Sequence, residues 1–292
     1  MQMTLINYCK LFFQSLCGHT TAIECVRFGQ TEELVVAGSA SGALKIWDLE
    51  AARLIRTLTG HKAGLTCADF HPYGDFLASG SADKNLKLWD IRRKGCIFTY
   101  KGHANRVNSL KFSPDGQWIA SAGEDAAVKV WDLRAGKMMA DFGEHGGPVH
   151  DVEFHPHEFL LASASQDRTV SFWDLETFSK LSSSEKDTGP VRCLSFHPEG
   201  NVLFSGSQDS LKIHRWEPSA GIYDHISMGW GKIRDMAIAA TQMVSTKIRK
   251  KTTDFCIDLN FFEVSIKIYI ISYFCRLESL TICPMYRFTL WI

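Results

Sequence analysis

The sequence predicts an all-β fold assembled from repeated four-stranded units, a β-propeller. Three observations predict it. Aromatic–acid pairs stand at Trp47-Asp48, Trp89-Asp90, Trp131-Asp132, Trp173-Asp174 and Trp216-Glu217, stepping by 42, 42, 42 and 43 residues. Gly-His pairs end on His19, His61 and His103, with a looser Gly143-Glu144-His145, every step again 42. Between these markers, short apolar runs alternate with glycine, proline and aspartate turns, the pattern of strands rather than helices. An apolar anchor keeps the same 42-residue step at Phe28, Phe70, Phe112, Phe154, Phe196 and Ile238. A fixed period of this length marks a repeat architecture.

One unit shows how each element is predicted. A first apolar run, Val107 to Phe112, meets the turn Ser113-Pro114-Asp115-Gly116, whose proline and Asp-Gly suit a tight reversal. A second run, Trp118 to Ser121, ends at Glu124-Asp125. The third, Val128 to Trp131, alternates with period two, and a weaker fourth, Met138 to Phe142, leads into the next histidine. The same reading gives about five complete four-stranded blades plus partial first and last blades. Residues 1–17 read as the remnant of a preceding blade and 18–244 as the propeller. Residues 245–292 read as a tail, disordered or supplying closing strands; all 22 glycines lie before it.

The units are unequal. In the first, Ser41 takes the place of the recurring aspartate and Ala37 that of a serine, so this unit lacks the polar set of the others. In the fifth, Asp187 replaces the histidine, Asp209 keeps the aspartate step, and one extra residue before Trp216 predicts a bulge. The sixth unit begins near Gly231 and loses the pattern after Val244.

Composition narrows the function classes. Lys+Arg and Asp+Glu both number 32, so no global field draws the chain onto nucleic acid or an anionic membrane. Nine cysteines without a C-x-x-C pair suit reduced thiols rather than a disulfide framework or zinc module. The uncharged run from Ile268 to Cys275 is far shorter than the ~20 residues of a membrane helix. The expectation is a soluble, intracellular protein.

Each middle unit repeats a histidine, serine, aspartate and tryptophan: His61, Ser79, Asp83 and Trp89; His103, Ser121, Asp125 and Trp131; His145, Ser163, Asp167 and Trp173. A hydrolase also uses Ser, His and Asp, but has no reason to copy them at a fixed period. A structural network explains the repetition, with aspartate orienting histidine, histidine bonding serine, and serine accepting the indole N–H. His150, His155 and His157 crowd one stretch, yet lack the cysteines or paired carboxylates of a metal site. No cofactor is expected. Arg92, Arg93 and Lys94 form either a solvated loop or a docking patch for an acidic partner. Lys62, Asn105, Arg106, Glu124, Gln166, Arg168 and Gln208 are expected on one face, where propeller loops recruit partners from a rigid scaffold.

The Gly-His and Trp-Asp spacing resembles the WD40 repeat family. The text between the markers narrows the likeness. Ile91-Arg92-Arg93-Lys94-Gly95-Cys96-Ile97-Phe98, Ala135 to Met139, Gln208 to Leu211, Trp216-Glu217-Pro218 and Trp230-Gly231-Lys232 resemble the WD40 regulatory subunits of katanin, the microtubule-severing ATPase. The resemblance spans residues 16–244. It implies a non-catalytic targeting and regulatory scaffold that directs the AAA ATPase subunit to centrosomes and spindle poles. Implied partners are that ATPase, microtubules and spindle-pole proteins, and the implied location is cytoplasm and cytoskeleton. The family binds its ATPase through a helical region near the C-terminus, which is missing here together with a first blade, while residues 245–292 resemble nothing in the family. A generic WD40 adaptor, such as a ubiquitin-ligase substrate receptor, is the alternative.

Overall fold

A computed structural model of the chain describes residues 14–30, 33–93, 95–215 and 222–227, and six later strands between residues 233 and 282. Every regular element among them is a β-strand. Five sheets share one plan: four antiparallel strands in sequence order. In the third, Val107–Phe112, Trp118–Gly123, Val128–Asp132 and Lys137–Phe142 pair consecutively. Gly116 closes the first turn with its N–H on the Ser113 carbonyl at 2.9 Å, at φ +71°, a conformation glycine adopts without strain.

The core lies between sheets rather than within them. Ala120, Val128 and Val130 of the third sheet pack on Val149, Val152 and Phe154 of the fourth, and the other neighbouring pairs repeat this arrangement. A central strand is therefore covered on both faces. All six residues of Leu160–Ser165 are buried, which is why the strand reads as apolar and small residues instead of alternating. The fourth strand is the opposite case. Lys137–Phe142 exposes most of its side chains, and the polar residues of this outer edge discourage further pairing. First strands of successive sheets pack side by side.

Beyond the fifth sheet the plan changes. Ile233–Ala239 and Gln242–Lys247 form an antiparallel pair, but the next strand in line, Val264–Ile270, runs parallel to the second, with Ile257–Phe261 outside it. The pattern lost after Val244 is thus matched by a lost strand order. Gln14–Cys17 pairs antiparallel with Ser279–Ile282, joining the two extremes of the described chain in a three-stranded sheet. Leu16 of that strand packs against Val35, Ala37 and Trp47 of the first regular sheet.

Candidate interaction surface and its supporting network

The three repeated tetrads form closed relays. Trp89 Nε1 donates to Ser79 Oγ at 2.8 Å, Ser79 Oγ lies 2.8 Å from His61 Nε2, and His61 Nδ1 lies 2.9 Å from Asp83 Oδ2. Trp131, Ser121, His103 and Asp125 repeat the relay at 2.9, 2.7 and 3.0 Å, and Trp173, Ser163, His145 and Asp167 at 2.8, 2.7 and 3.0 Å. Donor chemistry orders the protons. Indole only donates and carboxylate only accepts, so serine donates to Nε2 and the neutral imidazole donates from Nδ1. Each aspartate also takes the backbone N–H of the residue after its histidine, Lys62, Ala104 or Gly146.

Electrostatics agree with this order. Burial drives His61, His103 and His145 below the ordinary histidine value, against the raising pull of their aspartates. Burial acts to raise Asp83, Asp125 and Asp167, but the donors around them prevail and hold all three low, Asp167 at about 2. Although serine, histidine and aspartate stand in the order of a hydrolytic triad, the three serines are wholly buried and each oxygen already accepts an indole N–H. No substrate can approach them.

The first unit lacks the relay. Ala37 offers no hydroxyl, His19 Nε2 reaches only the Ala37 carbonyl at 3.3 Å, and the buried Trp47 Nε1 has no partner. The fifth departs from the expected scheme. Its second turn is one residue shorter, with Ser207 N–H on the Ser210 carbonyl where the fourth unit spans Ser165 to Thr169. His214, rather than Trp216, therefore sits opposite Leu203, as Trp173 sits opposite Leu161, and its Nε2 lies 2.8 Å from Ser205 Oγ. Trp216 itself lies outside the described residues. The expected bulge falls between Ile213 and His214, where every unit has one between its third and fourth strands, so it is not an insertion peculiar to the fifth. Asp209 is exposed on the turn, and the buried Asp187 instead takes Ser210 Oγ at 3.0 Å and Lys212 Nζ at 3.4 Å.

Lys62, Asn105, Arg106, Glu124, Gln166, Arg168 and Gln208 are all exposed. Two contacts join the loops that carry them: Glu124 N–H to the Arg106 carbonyl at 2.8 Å, and Asp187 N–H to the Arg168 carbonyl at 2.7 Å. Arg92 and Arg93 are exposed elsewhere, on the loop after the Trp89-Asp90 pair. Arg92 Nε stands 3.2 Å from Asp75 and 3.7 Å from Asp90; Lys94 lies outside the described residues. The crowded histidines do not converge on one point. His155 uses both nitrogens, Nε2 on the Gly200 carbonyl at 2.8 Å and Nδ1 accepting from His157 and Glu158 N–H. His157 Nε2 reaches the Pro198 carbonyl, while His150, lowered to about 4 by burial, stands apart from both. Among the described residues no group of three or more His, Cys, Asp or Glu is placed to hold a metal ion.

Sequence reasoning missed three sets of residues. The aspartate of each Trp-Asp pair caps the following turn: Asp132 Oδ1 accepts Arg134 and Ala135 N–H at 2.7 and 2.8 Å, and Asp174 does the same for its own turn. The first strands carry Arg27, Asp69, Lys111 and Glu153 at the 42-residue step, with Lys111 Nζ 2.9 Å from Glu153. Asp151, pushed up to about 6 by burial, stitches Ser109 Oγ to Leu194 N–H. The period exposed all of these positions, but the Trp-Asp aspartates read only as markers, and the changing residue types of the other two sets disguised a shared role.

A series of four-stranded sheets packed one against the next, held by buried polar relays and presenting exposed loops, is the build of a repeat scaffold for other macromolecules. The chain belongs to the WD40 family: the family described as WD domain, G-beta repeat matches residues 11–48, 52–90, 94–132, 136–174 and 178–214, more than half of its length. No individual curated protein matches it. The last match ends at His214, the residue that replaces the tryptophan in the fifth relay.

Proposed function

We propose that the chain acts as a non-catalytic targeting and regulatory scaffold of a katanin-type microtubule-severing complex. The observation that carries this reading is the text from Ile91 to Phe98. Ile91 is buried in the core, but a WD40 unit does not require the exposed residues of this stretch for its own packing: Arg92 and Arg93 are exposed, Ile97 is 42% exposed and Phe98 37%. Their likeness to the katanin regulatory subunits therefore reflects something other than the needs of a blade. The buried, occupied serines support a role without catalysis. Partner contacts are assigned to the face bearing Lys62, Asn105, Arg106, Glu124, Gln166, Arg168 and Gln208, and to the Arg92-Arg93-Lys94 loop. The propeller's own partners are microtubules and centrosomal or spindle-pole proteins, and contact with the AAA ATPase is assigned to a helical region outside these residues.

Co-precipitation of the tagged 292-residue chain from dividing cells, beside a form extended by the katanin-type helical region, tests the proposal. Both should recover spindle-pole components, and only the extended form the severing ATPase. Recovery of ubiquitin-ligase subunits instead would favour a generic WD40 adaptor, and loss of all spindle-pole material would overturn the reading.

A further inference from the structure

On the face opposite the relays two junctions between neighbouring sheets are stapled by a histidine, whereas the first junction has Gly29 in the histidine position and the junction of the third and fourth sheets has Ser113 there. At the junction of the second and third sheets, His71 Nε2 donates to the Gly116 carbonyl at 3.0 Å and the ring lies edge-on to Phe112, centroids 5.3 Å apart. At the junction of the fourth and fifth, His155 repeats this with the Gly200 carbonyl at 2.8 Å and Phe196 at 5.0 Å. Glycine is required opposite each imidazole, since a Cβ at Gly116 would come within 2.5 Å of His71 and one at Gly200 within 2.7 Å of His155. Between the third and fourth sheets both members change together. Ser113 stands in the histidine position and Glu158 in the glycine position. The Ser113 hydroxyl folds back onto Asp115, leaving a cavity of about 150 Å³ in front of Phe154.

This cavity has a definite chemistry. Trp118, Phe154 and Phe159 wall it, with Trp118 and Phe159 6.0 Å apart and tilted by 50°, and Phe159 is 55% exposed. Asp115 and Glu158 stand at its margin, and no lysine or arginine lines it. The cavity opens to solvent, and its volume of about 150 Å³ is enough for a planar group the size of benzene. Aromatic faces attract a cation, and a planar guanidinium both stacks on them and forks onto carboxylates, which a compact, strongly hydrated ammonium does not. We propose that this pocket binds an arginine side chain presented by a basic segment of a partner protein, seated where the adjacent junctions hold their own imidazole. The proposal rests on the scaffold reading but not on the katanin assignment, because its test uses the purified chain alone.

The test is a calorimetric titration of the full chain with acetyl-Gly-Ser-Arg-Ser-Gly-amide and its lysine and alanine counterparts. The arginine peptide should bind about tenfold more tightly than the lysine peptide. The double substitution Ser113→His with Glu158→Gly rebuilds the staple, so it should fill the pocket, abolish binding and melt no lower than the parent. Glu158→Gln, which keeps the volume and removes one charge, should weaken the arginine preference and provides the readout should the double variant fail to fold. Equal binding of all three peptides, or arginine binding undiminished in Glu158→Gln and in a folded double variant, would overturn the proposal.

Discussion

Trp47 and Trp131 occupy equivalent places in two units, yet one indole N–H is bonded to a serine and the other buried without a partner. A buried unpaired polar group costs about 1–3 kcal/mol, so His103→Ala, which takes one partner each from Asp125 and the buried Ser121 hydroxyl, should destabilise by that order in denaturant unfolding. The converse change is also available. Ala37→Ser supplies the hydroxyl that Trp47 and His19 lack and should stabilise by about 1 kcal/mol; an unchanged midpoint would show that the relay contributes little. Protonation gives a second prediction. His19, His61, His103, His145, His150, His155 and His214 are all lowered, chiefly by burial. The unfolded chain therefore binds more protons below its histidine value of about 6.5, and stability falls as pH drops through that value. Asp151, raised to about 6, acts in the opposite sense between about pH 6 and 4, as a single group against seven. Below about pH 4 the depressed carboxylates add a further loss that continues toward the value of about 2 held by Asp167. Melting should accordingly be lower at pH 5 than at pH 7.5 and lower again at pH 3; a flat profile would contradict the buried neutral imidazoles.

At the scale of the element, the fifth sheet shows what the period reveals and what it hides. The tetrads of the second to fourth units were legible because His103, Ser121, Asp125 and Trp131 recur in type as well as spacing. In the fifth unit the turn lost one residue, so Asp209 kept the 42-residue step and Trp216 overran it by one, while the strand register passed to Lys212 and His214. A one-residue slip reverses which side chains face inward, and only the paired partner strand reveals it. The Ser113 and Glu158 departures were visible as residues, but their meaning depends on two turns, 45 positions apart, touching across a junction. The substituted network carries its own prediction. Lys212 and Asp187 are both buried, whereas Lys87, on the corresponding strand of the second unit, points to solvent and Thr99. Lys212→Met leaves Asp187 charged and buried with hydroxyl and N–H donors alone, and should cost about 3 kcal/mol, against little for Lys87→Met. Comparable losses for the two would mean that the buried pair has no special role.

Across the whole molecule, the regular units explain one another, and the least regular strands decide how the series ends. The second, third and fourth sheets are each covered on both faces by regular neighbours, whereas the first has one such neighbour and is covered on its other side in part by Leu16, from a strand whose own backbone partner is Ser279–Ile282. The sequence offered no marker for that pairing, because residues 245–292 carry neither glycine turns nor the tryptophan–acid pair, and the pairing depends on chain ends nearly the full length apart. Removing residues 275–292 deletes both tail strands of that sheet and leaves Gln14–Cys17 with an open row of backbone donors and acceptors. An open edge recruits other chains, and the shortened chain, with 30 Lys+Arg against 31 Asp+Glu (two Arg and one Glu fewer than the full chain), has little long-range repulsion to keep them apart. The shortened chain should therefore melt lower than the full chain and form higher-order species in light scattering at neutral pH. The effect should be confined to this closure, so His103→Ala, two sheets away from Leu16, should still destabilise the shortened chain by the same increment, as expected for distant sites without shared partners. A shortened chain that stays monodisperse and melts with the parent would show that the first strand holds its place on Val35 and Trp47 without its antiparallel partner.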